Sequence, residues 1–257
     1  MPRIAGVLGW PLTYTKSPAL HNAAYRALGI DAVYVAFPVP DEKLADALHG
    51  ARALGLMGLN VTVPYKEAVV PFCDELHPTV RKLAAANTLV LAGGKVTAFN
   101  TDVDGFQLAL AGAGVRARRA VVLGAGGAAR AAIAALDGAG TRVSVVARIP
   151  SLPGSWSWTE AAFHEVLPAA DLLVDATSAG LDDAPYPAPV PLALLRSDAV
   201  VASLIYHREP ALLRAARERG LRTLDGAGML VHQAALSFTL MTGKEAPLDV
   251  MWTAMVG

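Results

Sequence analysis

Four stretches of the chain carry side chains that could do chemistry. Asn60-Val61-Thr62-Val63-Pro64-Tyr65-Lys66 alternates an amide and a hydroxyl along one face of an extended segment, then meets a proline and a lysine. Asn87 leads an apolar run, and Asn100-Thr101-Asp102 closes another. Amide and hydroxyl donors with one cation and one carboxylate are what a polyhydroxylated carboxylic acid needs, and open α/β folds gather ligands at strand ends. Asp102 taken alone reads equally well as a helix cap. The fourth stretch, Val121-Val122-Leu123-Gly124-Ala125-Gly126-Gly127-Ala128-Ala129-Arg130, has the order strand, glycine turn, helix. Its glycines permit a tight turn and let backbone amides approach a pyrophosphate, to which the helix start adds partial positive charge. A tight turn with no ligand is the plain alternative.

The residues closing the next strand choose between dinucleotides. NAD sites place Asp or Glu there, about 20 residues on, to accept hydrogen bonds from the adenosine 2′-hydroxyl. This chain has Val146-Ala147-Arg148-Ile149-Pro150 and no carboxylate. Arg148 suits a 2′-phosphate through charge and by stacking on adenine, which favours NADP.

Strands alternating with helices must position these groups. Ile4–Leu8 reads as a strand, and Ser17-Pro18 opens a helix with serine as its cap and proline at the first helical position. A strand over Val33–Phe37 is followed by a helix over Asp41–Leu54, with Leu44, Ala47, Leu48 and Ala51 on one face. Met57–Val63 is a strand ended by Pro64, and a helical stretch is expected from there to about Ala86. Thr88–Leu91 and Val96–Phe99 flank Gly93-Gly94 as a hairpin, and Asp102 can cap a helix to about Leu110. A second unit begins near Ala120, with strands at Ala120–Leu123, Arg142–Val146, Leu172–Asp175, Val200–Ile205 and Arg222–Leu224 and a helix over Ala128–Leu136. Ile149–Trp158 is too rich in Pro, Gly and Ser for a helix, and Asp182–Pro191 reads as a surface loop. The pattern is α/β in two units, with a mostly parallel sheet covered on both faces.

Composition narrows the classes of function. The 257 residues hold 22 Lys+Arg against 22 Asp+Glu, with 54% hydrophobic and 17% charged residues. Such a chain folds, and it has no electrostatic footprint for nucleic acid or anionic lipid. Cys73 is the only cysteine, which excludes an internal disulfide and fits a reducing cytoplasm. The six histidines show no metal-ligand spacing and there is no Gly-x-Ser-x-Gly elbow, so neither a metal nor hydrolase chemistry is expected. Gly226–Gly243 lacks charged residues but carries His232, Gln233, Ser237, Thr239 and Thr242, and it reads as a buried helix with a polar edge. The apolar N-terminal run, broken by Gly9 and Pro11, reads as a strand and not a leader.

Taken in order, the motifs resemble those of the shikimate dehydrogenase family. They are Gly9-Trp10-Pro11 leading to Lys16-Ser17-Pro18 and His21; Asn60 through Lys66-Glu67; Ala86-Asn87-Thr88; Asn100-Thr101-Asp102; Gly124 through Ala128; and Asp225-Gly226 leading to Gly228-Met229-Leu230-Val231 and Gln233. The resemblance implies a discontinuous shikimate-binding domain with a mixed sheet, residues 1–101 plus 228–257, around a Rossmann-like NADP-binding domain, residues 102–227. It implies reversible NADPH-dependent reduction of 3-dehydroshikimate to shikimate. Lys66 and Asp102 then take the catalytic positions. Thr15 and Ser17 would hold the substrate carboxylate, while Thr62, Asn87, Asp102 and Gln233 would address the ring, in company with Asn60. Leu204, Tyr206 and Gly226 would lie near the nicotinamide and the substrate, and Gly124, Ala125, Gly126, Gly127, Ala128 and Arg148 would bind the dinucleotide.

Four departures from the family pattern bear on specificity. Thr15 replaces a serine, and Asp175 replaces an asparagine near the dinucleotide. Ser203-Leu204-Ile205-Tyr206-His207 lacks the usual Asp and Asn-Pro. After Arg148 the chain reads Ile149-Pro150-Ser151-Leu152-Pro153-Gly154, without the second basic residue. Relaxed cofactor choice follows, with NAD as a poorer or alternative cofactor. A quinate/shikimate or aminoshikimate dehydrogenase is the neighbouring reading. A non-catalytic ligand sensor is the reading from another class, and the intact Lys66/Asp102 pair argues against it. Monomer and homodimer are both open.

Overall fold

The structure, a computed structural model, describes residues 1–179 and 185–257. They form two compact units, residues 1–105 with 231–257 and residues 106–230. The chain passes between them within two helices, where the expected boundaries lay at 101/102 and 227/228.

The first unit opens with β1 (Arg3–Gly9), α1 (Ser17–Ala27), β2 (Ala32–Pro38), α2 (Leu44–Ala53) and β3 (Gly58–Val61). β4 (Glu75–Leu76), α3 (Pro78–Leu83), β5 (Thr88–Ala92), β6 (Lys95–Phe99) and α4 (Asp102–Gly112) follow. The sheet order is β2-β1-β3-β5-β6-β4. β1 pairs in parallel with β2 and β3, whereas β3–β5 and β5–β6 are antiparallel, so the sheet is mixed. Gly93 and Gly94 take φ of 58° and 76° in the β5–β6 hairpin, the turn its sequence calls for. A core of Leu8, Leu59, Val61, Val69, Val80, Leu89 and Ala98 packs on this sheet.

The second unit comprises β7 (Arg119–Leu123), α5 (Gly127–Gly138), β8 (Arg142–Ala147), β9 (Trp156–Ser157), α6 (Glu160–Val166), β10 (Leu172–Asp175), β11 (Val200–Ser203), α7 (Ala211–Glu218) and β12 (Arg222–Leu224). Its sheet, in the order β12-β11-β10-β7-β8-β9, is parallel throughout. β10 and β11 are buried along their whole length, as near-continuous apolar runs in a doubly covered sheet must be. The chain returns to the first unit in α8 (Ala227–Thr242) and ends in α9 (Leu248–Val256), which packs on α1. No helix among the described residues is long and apolar enough to cross a membrane.

Three local expectations are corrected. The segment from Pro64 to Ala86 is not one helix but turns, a 3-10 turn at Val70–Phe72, β4 and the short α3. Pro71 and Pro78 each remove an amide and clash with the preceding turn, so a helix can begin at them but cannot run through them. Ser17 is not the cap of α1 but its first residue; Thr15 Oγ1 accepts its amide at 3.3 Å. Asp102 likewise does not cap α4, because Asn100 Oδ1 accepts the Asp102 amide at 3.1 Å and the aspartate side chain is left for other work. The surface loop expected over Asp182–Pro191 lies in part outside the described residues.

Candidate active site

In the first unit, antiparallel pairing of β3 with β5 and of β5 with β6 brings the end of β3, the start of β5 and the end of β6 to one edge of the sheet. Asn60 is opposite Thr88, and Thr88 is opposite Phe99. Lys66, Asn87 and Asp102 stand on the three segments that leave this edge. Lys66 Nζ donates to Asp102 Oδ2 at 2.6 Å, with side chains only 15% and 6% exposed. Among the described residues no other hydrogen bond or ion pair engages Nζ, so two of its three donors are left for a ligand. Asn87 Nδ2 donates to the other oxygen, Asp102 Oδ1, at 2.9 Å and to Thr101 Oγ1 at 2.9 Å. Its reach to Gln233 Oε1 on α8 is 3.3 Å, while its own oxygen accepts from the Thr101 amide at 2.8 Å and from Thr88 Oγ1 at 3.0 Å. Both Asp102 oxygens thus accept from donors, one from Lys66 and one from Asn87.

Asn60 extends the network inward. Its amide donates to the Asn87 carbonyl at 3.2 Å and to Thr88 Oγ1 at 3.1 Å, and its Oδ1 accepts from the Tyr34 phenol at 2.7 Å. Thr15 and Ser17 bracket the start of α1, with Ser17 buried and Thr15 half-buried; Thr62 is half-buried just beyond β3. The sequence placed Asn60, Thr62, Lys66, Asn87, Asp102, Thr15, Ser17 and Gln233 together, and all eight fall within this unit. Tyr206 belongs to the other. Tyr34 and Ser237, whose hydroxyl lies 3.4 Å from Asn60 Oδ1, were not anticipated. The available signal was the tyrosine in the apolar run over Val33–Phe37, because a buried phenol must find a partner.

In the second unit the chain moves from β7 to β8 on one side and later to β10 on the other, so the strand order reverses beside β7. Such a reversal opens a crevice at the carboxyl ends of the strands, where the glycine turn sits. Gly124 has φ of +105°, and a Cβ there would lie 3.1 Å from the Ala176 carbonyl, so only glycine fits. Gly126 is exposed with open space around its Cβ position, and among the described residues no side chain caps the first turn of α5. Ala125, Gly126, Gly127 and Ala128 therefore offer the uncapped amides that a pyrophosphate uses. Arg148 is exposed just past β8 and makes no ion pair or hydrogen bond among the described residues. Gly226 is buried where a Cβ would run into the Leu204 carbonyl, and its amide donates to the Ile205 carbonyl at 3.0 Å. The residues present fit a dinucleotide with a phosphorylated ribose held by one cation.

The Asp175 carboxylate, which stands where it could repel a phosphate, is turned inward. It is 1% exposed; Oδ1 accepts from Thr177 Oγ1 at 2.7 Å and the Thr177 amide at 3.1 Å, and Oδ2 accepts from the Tyr186 phenol at 2.7 Å. Burial raises its pKa above the ordinary carboxylate range, and the Tyr186 and Thr177 hydrogen bonds oppose that rise. No cluster of three metal-ligating side chains occurs among the described residues. Burial pushes the Cys73 thiol up to about 11, which keeps it protonated and unreactive.

Fold and site define a class of protein. It is a two-unit α/β chain in which a mixed-sheet unit carrying a lysine–aspartate pair is interrupted by a parallel-sheet unit of dinucleotide-binding design. The shikimate dehydrogenase substrate-binding domain model matches residues 7–89, and the shikimate 5′-dehydrogenase C-terminal domain model matches residues 226–256. A shikimate dehydrogenase (NADP(+)) of Symbiobacterium thermophilum is 42% identical over 98% of this chain and 93% of its own length. The crystal structure of the Thermus thermophilus shikimate 5-dehydrogenase in complex with NADP(H) and shikimate superposes with a TM-score of 0.89 at 35% identity, covering 100% of this chain and 99% of that one. The Listeria monocytogenes shikimate 5-dehydrogenase, in complex with shikimate and NAD, gives 0.84 at 30% identity over 97% and 95%. The chain belongs to the shikimate dehydrogenase family.

Proposed function

We propose that this protein is an NADP-dependent shikimate dehydrogenase, which reversibly reduces 3-dehydroshikimate to shikimate in aromatic amino acid biosynthesis. The observation that carries the reading is the buried Lys66–Asp102 pair at 2.6 Å, locked by Asn87 and leaving ammonium donors free. Residues 1–101 with 228–257 act as the shikimate-binding domain and 102–227 as the NADP-binding domain. Bound NADPH supplies the hydride that reduces the ketone carbon, and in the reverse direction NADP takes it back.

As negative charge builds on the ketone oxygen, the Lys66 ammonium hydrogen-bonds to it and delivers the proton, leaving a neutral amine and a hydroxyl. Asp102 orients the ammonium and accepts from a ring hydroxyl. Asn60, Thr62, Asn87 and Gln233 supply the further ring contacts, and Thr15 and Ser17 hold the carboxylate. Tyr206 is a further substrate-binding residue of the reading. Ala125, Gly126, Gly127 and Ala128 with Gly124 cradle the pyrophosphate, Arg148 faces the 2′-phosphate, and Leu204 and Gly226 bound the nicotinamide.

One cation in place of two at the 2′-phosphate leaves NADP preferred by a smaller margin than a two-cation site gives, with NAD as the poorer cofactor. The test is absorbance at the reduced-nicotinamide band with shikimate and with quinate, each with NADP and with NAD. Shikimate with NADP is expected to be the fastest pair. No turnover in any pair would overturn the reading.

A further inference from the structure

We propose that Tyr34 is a positioning residue that sets the substrate affinity of this site by holding Asn60 in one arrangement; the proposal rests on the shikimate dehydrogenase reading above. Tyr34 touches none of the reacting groups, yet every part of it is constrained. β2 is an edge strand, so Tyr34 exposes backbone groups that no neighbouring strand satisfies. The Asn22 side chain takes both, donating to the Tyr34 carbonyl at 2.8 Å and accepting from its amide at 2.8 Å. The ring is stacked on His21, with centroids 4.2 Å apart and planes 12° from parallel. His21 is wholly buried, and that burial drives its pKa down to about 3, so the stack is with a neutral imidazole throughout the physiological range.

With backbone and ring fixed, the phenol oxygen has one place to be. It donates to Asn60 Oδ1 at 2.7 Å. The buried phenol therefore touches a residue expected at the substrate ring. Beyond Asn60 the chain of bonds continues to Thr88, Asn87 and finally Asp102. The effect attenuates with each link, so Tyr34 acts on the nearest groups, which bind, and little on Lys66, which transfers the proton. An aromatic residue would be enough to fill the space; the hydroxyl is what directs Asn60.

The test is Tyr34→Phe, which deletes one oxygen and keeps the ring. The expected result is a rise of about tenfold in KM for shikimate, the scale of one buried hydrogen bond left unmade, with kcat and the KM for NADP within about twofold of wild type. A merely structural role would lower the melting temperature and the active fraction but leave KM in place, and an unchanged KM for shikimate overturns the proposal. A second measurement guards against a poorly folded variant: a cycle of Tyr34→Phe, Asn60→Ala and the double variant, read as shikimate dissociation constants by calorimetry, which count only folded sites. If Tyr34 works through Asn60, the double variant binds as weakly as Asn60→Ala alone; multiplicative losses would overturn the proposal. A wild-type protein that does not oxidise shikimate would show instead that the underlying reading has failed.

Discussion

The candidate sites of the two units are built from different parts of the chain. In the first, the candidate site is a lattice of buried side chains, Lys66, Asp102, Asn87, Asn60 and Thr88, each holding the next at hydrogen-bond distance. In the second, the candidate site is mostly backbone, the uncapped start of α5 and a glycine turn whose geometry excludes a Cβ, with one exposed arginine beyond it. A ring with distinct hydroxyls needs directional partners, which only side chains supply in such variety, whereas a pyrophosphate is satisfied by a row of equivalent amides. The first unit should therefore be sensitive to side-chain chemistry and the second to added bulk.

Substitutions that exploit this contrast span a wide range of effect. Lys66→Ala is expected to lower kcat by about 10²–10⁴-fold with little change in KM, the usual worth of a positioned general acid; steady-state kinetics would read it, and an active variant would remove the lysine from the mechanism. Gly124→Ala forces a Cβ toward the Ala176 carbonyl at a φ of +105°, strain of about 1–3 kcal/mol. The KM for NADP should rise by roughly 10- to 100-fold while shikimate affinity, measured by calorimetry, stays put. Equal losses for both ligands would erase the division of labour.

Tyr186→Phe probes the hydrogen bonds that hold the buried Asp175 carboxylate and should act on stability. It leaves Asp175 Oδ2 without its phenol donor, a cost of about 1–3 kcal/mol. The sign with pH follows from the direction of the Asp175 shift. Its pKa is raised by burial, so the folded state favours the protonated acid, and that contribution is present at low pH and lost as pH rises through the folded pKa. Tyr186 moderates the rise, so its removal should depress the melting temperature more at pH 8 than at pH 5. The opposite order would mean that the carboxylate is held by something other than Tyr186. The smallest effect is expected from Arg148→Ala, an exposed residue: a fall of up to about tenfold in the NADP-over-NAD ratio of kcat/KM, the scale of one charged hydrogen bond near water. A wild-type preference already too large for a single cation would break this part of the comparison.

Much of the candidate site is legible in the sequence, because its residues sit at strand ends and strand ends are marked by apolar runs meeting prolines, glycines and amides. Lys66 follows Pro64, and Asp102 follows the run that ends at Phe99. The errors lie where one residue type serves two purposes. Asp102 reads as a helix cap because aspartate often is one, yet Asn100 performs that task. Ser17 reads as a cap for the same reason, but it is the first helical residue. The stretch after Pro64 reads as a helix to about Ala86, and the prolines at 71 and 78 overrule that reading.

From the amino-acid order alone came the α/β alternation, the glycine turn, the lone Arg148 and the family, since each is written in neighbouring residues as local propensity or motif. Tertiary structure alone decided that Asn87 holds the second oxygen of the expected Lys66–Asp102 pair, that Asp175 faces inward to Tyr186, and that Tyr34 meets Asn60. Those meetings depend on which strands pair and in what register, and pairing is settled by burial of whole sheet faces, which no single stretch of sequence encodes.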